Sequence, residues 1–287
     1  MSVKKYLINS RKKLKRIVLM DRRTILKKAK NKINFYFGFT NIAKRIVLRT
    51  DRYIAEQLDC SYQENPEVGA LNIKEKIERV ENGGTFEPID IELVNRGAVE
   101  LIGNAKNILE IGCGTGMFSS MASKVQGVSI TASEFDKKTL EWAQKNRTAK
   151  NINFCNISLD DVEIDSFDLV VSLEVVEHIQ DYANFISKLS NAAPRAIIST
   201  PNKNRSIEEA YRQSPGYHAH VREWTAGEFY WVLRVFYKDV KLFTVQNWED
   251  NLNKISLNRD IKVKLKCVPL QTREPQIIAI CEKPYRN

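Results

Sequence analysis

Three glycines at alternate positions, Gly112, Gly114 and Gly116, form the segment whose residue types and spacing most directly suggest chemistry. They follow the apolar segment 107–111 and precede residues compatible with a helix. Glycine lets the backbone turn sharply and lie against a ligand because it has no Cβ. A dinucleotide-binding loop needs Gly or Ala five residues after its first glycine, where this chain has Met117. The spacing therefore predicts a ligand-binding turn after a strand and argues against NAD or FAD, with a turn that binds nothing as the alternative.

Acidic residues on two neighbouring strands extend this pattern. Glu110 precedes the first glycine by two residues, and Glu134 ends the next predicted strand, 22 residues after Gly112. In a doubly wound sheet the second strand ends beside the first turn, so Glu134 can accept hydrogen bonds from a ribose diol. Capping of a helix over 136–146 is the alternative role for Glu134. The pattern resembles motif I of the class I S-adenosylmethionine (SAM) methyltransferases, which implies that Glu110, the three glycines, Glu134 and Phe135 contact SAM.

The third predicted strand, near 152–157, departs from the pattern of that family. Family members usually carry an acid after this strand that binds the adenine amino group, whereas this chain has Ser158. A serine hydroxyl can still accept one hydrogen bond, and Leu159 can pack on the adenine face. The resemblance therefore assigns Ser158 and Leu159 to the cofactor site in place of the usual acid.

The three histidines of the chain fall in two short segments, the first of which also contains two glutamates. Glu174, Glu177 and His178 follow the fourth predicted strand, and His218 and His220 lie in the second segment. If a helical turn starts at Glu174, positions i, i+3 and i+4 share one face, and two carboxylates and an imidazole converge. Such a donor set with open positions suits Mg²⁺, or Mn²⁺ given the imidazole. His220 is the expected fourth ligand, and His218 is expected to be a loop or substrate contact.

Three roles are open for this constellation. In the first, Glu174, Glu177, His178 and His220 hold one divalent metal that also touches the acceptor oxygen. In the second, His178 or His220 acts as a general base without metal, because imidazole titrates near pH 7. In the third, His178 is a histidine at a strand end whose ring nitrogens have hydrogen-bond partners and which has no chemical role.

Longer segments resemble particular groups of methyltransferases. The motif at 174–178 resembles the ubiquinone-pathway O-methyltransferases and the small-RNA 3′-end 2′-O-methyltransferases, in which it holds a divalent metal together with a later histidine. Segments 200–202 and 220–225 also match the RNA enzymes, but 203–206 departs from them. Over about 95–245 the chain resembles bacterial methyltransferases of surface-polysaccharide and glycan pathways.

These resemblances imply a SAM-dependent O-methyltransferase whose acceptor is a sugar hydroxyl of a bacterial surface polysaccharide or lipid-linked glycan. RNA 2′-O-methylation is the first alternative, and a non-catalytic SAM-binding domain attached to a membrane is the second. A sugar hydroxyl is a poor nucleophile at neutral pH, so either a metal ion that lowers its pKa or a histidine base that takes its proton is needed. The expected cofactors are SAM and Mg²⁺ or Mn²⁺, and nucleic acid is the less favoured partner.

The elements that position these residues alternate along the chain from residue 107. Strands are predicted near 107–112, 129–135, 152–157, 167–174, 196–200, 240–246 and 275–282, with helices between the first five. This alternation predicts an α/β fold in which helices cover both faces of a parallel sheet. The resemblance implies a Rossmann-like class I methyltransferase fold with a mostly parallel sheet of seven strands, the last two of them antiparallel. A helix over 89–102 is expected to lead into the first strand.

Positive charge is concentrated in residues 1–50, which contain 16 Lys or Arg and a single acid, Asp21. Apolar residues recur there at helical spacing, and aromatic residues follow in 31–40. A basic amphipathic helix of this kind is typical of an element that binds an anionic membrane surface, and a helical extension packed on the domain is the alternative. We predict a basic helical N-terminal arm over 1–50, a helical connector over 51–94 and a SAM-binding domain over 95–287.

Composition and the lengths of apolar runs indicate the cellular compartment in which the chain is expected. The hydrophobic fraction of 43% is ordinary for a globular chain, and no apolar run reaches the roughly 18 residues of a membrane span. The apolar run near the N-terminus is too short for a signal peptide. Five cysteines are scattered without CxxC spacing, which indicates reduced thiols. The chain is therefore expected in the cytoplasm, at the inner face of the plasma membrane if the arm binds lipid, and its oligomeric state is not predicted.

Overall fold

The computed structural model describes residues 89–203, 220–256 and 261–285. The predictions made for the arm, for the connector up to residue 88 and for His218 lie outside these ranges. The predicted domain boundaries stay predictions, although the first described helix crosses the boundary expected at residue 94.

Within these ranges the chain forms six α-helices and eight β-strands. In order they are α1 (Ile89–Val99), β1 (Asn107–Ile111), α2 (Met117–Ala122), β2 (Ser129–Ser133), α3 (Lys137–Asn146), β3 (Ile152–Cys155), β4 (Leu169–Leu173), α4 (Tyr182–Ala192), β5 (Arg195–Pro201), α5 (Ala226–Arg234), β6 (Tyr237–Val245), α6 (Trp248–Ser256), β7 (Leu265–Cys267) and β8 (Gln276–Pro284). Short 3₁₀ turns cover Leu159–Asp161 and Val176–His178. None of the described helices is long and apolar enough to cross a bilayer.

The strands form a single mixed sheet in the order β3-β2-β1-β4-β5-β8-β6-β7. Strands β1 to β5 pair in parallel, and β8 pairs antiparallel with both β5 and β6. The parallel half and the antiparallel closing pair agree with the sequence prediction. The expected count of seven strands is wrong for the described residues, because β7 adds an eighth at the edge beside β6. A strand of three residues is too short to show the alternation by which strands are recognised.

Two layers of helices cover the two faces of the sheet, as predicted. Successive strand residues point to opposite faces, so Ile197 packs with α1, α2 and α6, whereas Ile198 packs with α4 and α5. Helix α1 contributes the fully buried Leu93 and Val94 to the first of these cores. Because the sheet is buried on both faces, ligands are left with the edge formed by the carboxyl ends of the parallel strands.

Candidate active site

The loop between β1 and α2 makes the sharp turn that its glycines predict, and its backbone is left-handed at all three of them. Gly112, Gly114 and Gly116 have φ values of 71°, 52° and 73°. A Cβ on Gly112 would lie 2.5 Å from Val175 and one on Gly116 would lie 2.7 Å from Phe154, whereas one on Gly114 would meet no atom within 4 Å. Gly112 and Gly116 therefore permit close packing inside the protein. Gly114 faces open space, in which a cofactor can lie against the backbone.

Strand β2 ends beside this glycine loop and places Glu134 against it. The backbone N–H of Gly114 donates to Oε2 of Glu134 at 2.8 Å, and the N–H of Asp136 donates to Oε1 at 3.0 Å. Glu134 is 7% exposed, and burial raises its pKa above the ordinary value. The N-cap of α3 is Asp136, which accepts a hydrogen bond from the N–H of Thr139. Glu134 is thus held at the loop rather than used as the helix cap.

Glu110, the acid that precedes the glycines, is buried beneath the loop. Its carboxylate accepts a hydrogen bond from the hydroxyl of Ser119 in α2. Burial raises the pKa of Glu110 to about 8. Burial therefore favours the neutral form of this carboxyl, and a cationic ligand group beside it would favour the ionised form.

The other predicted cofactor residues lie where β2 and β3 end. The hydroxyl of Ser133 bonds both the N–H and the carbonyl of Ile157 at 3.0 Å, which holds the segment before Ser158 next to β2. Oγ of Ser158 accepts a hydrogen bond from the N–H two residues later and so caps the 3₁₀ turn in this structure. Leu159 is partly buried, and Phe135 is 64% exposed, so its ring is accessible to a planar ligand.

Replacing Glu134 by alanine is expected to weaken SAM binding by about 1.5–3 kcal/mol, because charge-assisted hydrogen bonds to the ribose diol are lost. Calorimetry with SAM on the purified protein measures this difference. Glu141→Ala is the matched control, because Glu141 is an exposed acid of α3, with 62% of its side chain accessible. Equal SAM affinity of the folded Glu134→Ala variant and the wild type would contradict the ribose assignment.

The two histidine segments meet at the carboxyl ends of β4 and β5. The carbonyl of Glu177 accepts hydrogen bonds from the backbone N–H groups of Val221 at 2.8 Å and Arg222 at 3.2 Å. The side-chain ligand atoms of Glu177, His178 and His220 consequently lie within 4.8 Å of one another, and we call these three residues the Glu/His cluster. The two imidazole rings meet edge to face with centroids 4.9 Å apart. The fold thus brings together three of the four residues predicted as metal ligands.

Glu174, the fourth predicted ligand, lies outside the Glu/His cluster. Its φ of 55° is left-handed, and the 3₁₀ turn begins only at Val176. Its carboxylate accepts a hydrogen bond from the hydroxyl of Ser199 at 2.7 Å. The prediction that one helical turn carries Glu174, Glu177 and His178 on a shared face is therefore wrong, because a left-handed residue cannot start that turn. The motif around Glu174 also predicts a catalytic role for this residue, and both that role and its role as a metal ligand stay predictions.

Glu177 contributes a buried carboxylate to the cluster. Among the described residues, its Oε2 atom has no hydrogen-bond partner. Burial and then the neighbouring charge of Glu174 raise the pKa of Glu177 well above the ordinary value. A buried carboxylate oxygen without a partner is costly unless it is protonated or binds a cation. With two imidazoles beside it, this donor set fits a divalent ion such as Mn²⁺ better than Mg²⁺, which prefers oxygen ligands.

Two residues to which the sequence pattern assigned no role support the cluster. Oε1 of Glu223 lies 2.7 Å from Nδ1 of His220. Asn202, just after β5, bridges to Trp224 and donates its side-chain amide to two carbonyls of the loop 272–274. The position of Glu223 three residues after a histidine was visible in the sequence, but it does not by itself predict contact outside a helix.

The glycine loop and the Glu/His cluster adjoin each other. Val175, against which Gly112 packs, directly precedes the 3₁₀ turn that carries Glu177 and His178. A ligand lying over the glycine loop would therefore have the cluster beside it.

Comparison of the sequence with known proteins gives matches in the same region. The family model described as a methyltransferase domain matches residues 88–251, which is more than half of the chain. A ubiquinone biosynthesis O-methyltransferase of Rickettsia typhi is 35% identical over 106 residues, which are 34% of this chain and 42% of that protein. A mitochondrial protein of the same description from Dictyostelium discoideum is 29% identical over an alignment of 133 residues, and the match covers 39% of this chain and 40% of that protein. The chain thus spans about two fifths of the length of these curated relatives.

Comparison with solved structures supports the fold. A SAM-dependent methyltransferase of Thermotoga maritima, described as a possible histamine N-methyltransferase, superposes with a TM-score of 0.51 at 13% sequence identity. The match covers 67% of this chain and 88% of that one. At this level of identity the likeness concerns the fold and not the acceptor.

Proposed function

The chain belongs to the methyltransferase domain family, and from that membership we propose that it transfers a methyl group from SAM to a hydroxyl oxygen of a bacterial saccharide acceptor. The observation that carries the proposal is the position of the Glu/His cluster beside the glycine loop and Glu134. A cofactor site and a set of proton-accepting or metal-binding groups then share one edge of the sheet, where ligands bind in such folds.

We assign some of these residues to cofactor binding and others to removal of the acceptor proton. SAM supplies the electrophilic methyl group. We assign its ribose to Glu134 and its close backbone contact to Gly114, while the exposed ring of Phe135 offers a face to the adenine. Holding the reacting oxygen in line with the methyl group lowers the barrier by positioning alone.

We further propose that Glu177, His178 and His220 hold a divalent metal. The support is the buried Oε2 of Glu177, which has no partner among the described residues, together with two imidazoles. The candidate ligand atoms of the three residues lie within 4.8 Å of one another. A metal there would lower the pKa of an acceptor hydroxyl, as it does for water. Without metal, His178 or His220 would serve as the general base.

The acceptor proposal rests on the resemblance of residues 95–245 to glycan-pathway methyltransferases. A phenolic hydroxyl is a second candidate, because curated relatives similar over about a third of the chain are ubiquinone biosynthesis O-methyltransferases. RNA remains the further alternative, in which the basic residues 1–50 would bind phosphates.

Transfer of labelled methyl groups from SAM tests the chemical identity of the acceptor. Surface glycan, lipid-soluble quinones and small RNA from a deletion strain are incubated separately with the purified protein and methyl-labelled SAM. Label in the glycan fraction supports the proposal, whereas label confined to the quinones or to RNA assigns the protein to one of the alternatives. SAM binding without label in any fraction would favour a non-catalytic role.

Deleting residues 1–50 is expected to abolish binding to anionic vesicles, because this segment carries 16 Lys or Arg against one acid. Each basic residue near an anionic leaflet contributes about 1 kcal/mol. Co-sedimentation with phosphatidylserine vesicles should require the anionic lipid and should decline with added salt. Equal sedimentation of the full and shortened chains would show that the arm is not the anchor.

A further inference from the structure

A partly buried contact between a carboxylate and an imidazole lies at the edge of the Glu/His cluster. Oε1 of Glu223 lies 2.7 Å from Nδ1 of His220, and the two side chains are 6% and 11% exposed. The two residues are three apart in a segment that is not helical, so the contact does not follow from helix geometry. A carboxylate so well shielded from water interacts strongly with an imidazole nitrogen at this distance.

The backbone on both sides of this pair is anchored. Next to His220, the N–H groups of Val221 and Arg222 donate to the carbonyl of Glu177. Next to Glu223, the buried Trp224 bridges to Asn202, and its carbonyl accepts a hydrogen bond from the N–H of Lys203. The contact is therefore fixed by the same connections that bring His220 to the cluster.

A carboxylate beside one ring nitrogen determines which nitrogen of a neutral imidazole carries the proton. With its proton on Nδ1, donated to Glu223, His220 keeps a lone pair on Nε2. That lone pair is what a metal ligand or a general base requires. The same hydrogen bond also fixes the rotation of the ring.

We propose that Glu223 is a positioning residue that holds His220 in the Nδ1–H tautomer and so makes Nε2 the working atom of the cluster. The inference rests on the proposed function for its consequence, because Nε2 would serve the metal or the acceptor hydroxyl. The tautomer of His220 itself does not depend on whether a metal or an acceptor hydroxyl is bound there.

The tautomer can be measured in the metal-free protein. Because the chain contains three histidines, selective ¹⁵N labelling of histidine gives a simple spectrum, and the His220→Ala variant identifies the signals of His220. At about pH 8.5, above the ordinary histidine pKa, the wild-type protein should show a protonated Nδ1 and an unprotonated Nε2 at His220. In Glu223→Ala the ring should shift toward the Nε2–H form, whereas Glu223→Gln, whose amide oxygen can still accept the bond, should keep the wild-type pattern.

Metal binding provides the second readout. Calorimetry with MnCl₂ should show that Glu223→Ala binds Mn²⁺ about 10–100-fold more weakly than the wild type, the usual effect of removing such an outer partner. Glu223→Gln should recover most of this affinity. Glu249→Ala is the matched control, because Glu249 is an exposed acid of α6 and should change neither readout.

The outcomes separate the two proposals. A wild-type tautomer in folded Glu223→Ala would overturn the role of Glu223, whatever the metal does. If the wild type binds no Mn²⁺ but the tautomer of His220 changes in Glu223→Ala, the role of Glu223 is supported. That result would contradict only the proposed metal site.

Discussion

Replacing Glu177 by glutamine is expected to abolish most methyl transfer while leaving SAM affinity unchanged. The neutral amide cannot replace the buried carboxylate as a charged ligand, and a metal stabilises developing charge at an oxygen by several kcal/mol. The rate of label transfer to the responding fraction should therefore fall on the order of 1,000-fold, which corresponds to about 4 kcal/mol. Calorimetry with MnCl₂ and with SAM separates the loss of metal from any change in cofactor binding.

Two comparisons sharpen this experiment. Glu249→Gln makes the same chemical change at an exposed acid of α6 and should leave transfer and both affinities as in the wild type. Treatment of the wild type with EDTA should remove activity, and added Mn²⁺ should restore it. Glu177→Gln treated in the same way should not recover.

The general-base mechanism leads to the opposite pattern. EDTA would then be harmless, His178→Ala or His220→Ala would be inactive, and the rate would fall as the pH drops below a histidine-like pKa. Full activity in metal-stripped wild type would refute the metal site and leave these two histidines as the candidate bases.

Replacing Gly114 by alanine is expected to weaken SAM binding and to cost less stability than the same change at a tightly packed glycine of the loop. The new Cβ would meet no protein atom within 4 Å, so the structural cost is confined to placing alanine at a φ of 52°. That left-handed conformation costs about 1–2 kcal/mol. If the open space is where the cofactor lies, the methyl group occupies part of it, and affinity should fall at least tenfold, about 1.4 kcal/mol.

Gly116→Ala is the matched comparison for this loop. It has the same kind of backbone, with a φ of 73°, but its Cβ would lie 2.7 Å from the ring of Phe154. Overpacking of this kind adds about 1–3 kcal/mol to the backbone cost, so this variant should lose more stability. Denaturant unfolding without SAM measures the stabilities, and calorimetry measures binding. Wild-type SAM affinity in Gly114→Ala would show that the cofactor does not approach this residue.

Local patterns in the sequence predicted most of the fold. The glycine spacing indicated the sharp turn after β1, and apolar runs located all of the strands except β7 within a few residues. These features depend on neighbouring residues, since alternation and glycine content act over a single element. The three residues of β7 are too few for such a signal, which is why the sheet has one strand more than predicted.

The residues that form the candidate active site could be predicted only in part, because their arrangement depends on contacts between distant segments. The motif around Glu177 was recognisable, but its helical interpretation failed since Glu174 is left-handed and bonds to Ser199. That bond joins the ends of β4 and β5, and no local pattern encodes it.

Residue types and spacing by themselves determined that this chain has a glycine-rich turn after a strand, an acid at the end of the second strand and a histidine grouped with glutamates. Only the tertiary structure decided that Glu177, His178 and His220 form the cluster and that Glu223 contacts His220. The physical reason is the pair of backbone hydrogen bonds to the carbonyl of Glu177, which joins segments more than 40 residues apart. Every residue has such backbone groups, so their pairing cannot be read from side-chain identity and is settled only when the sheet and its loops have packed.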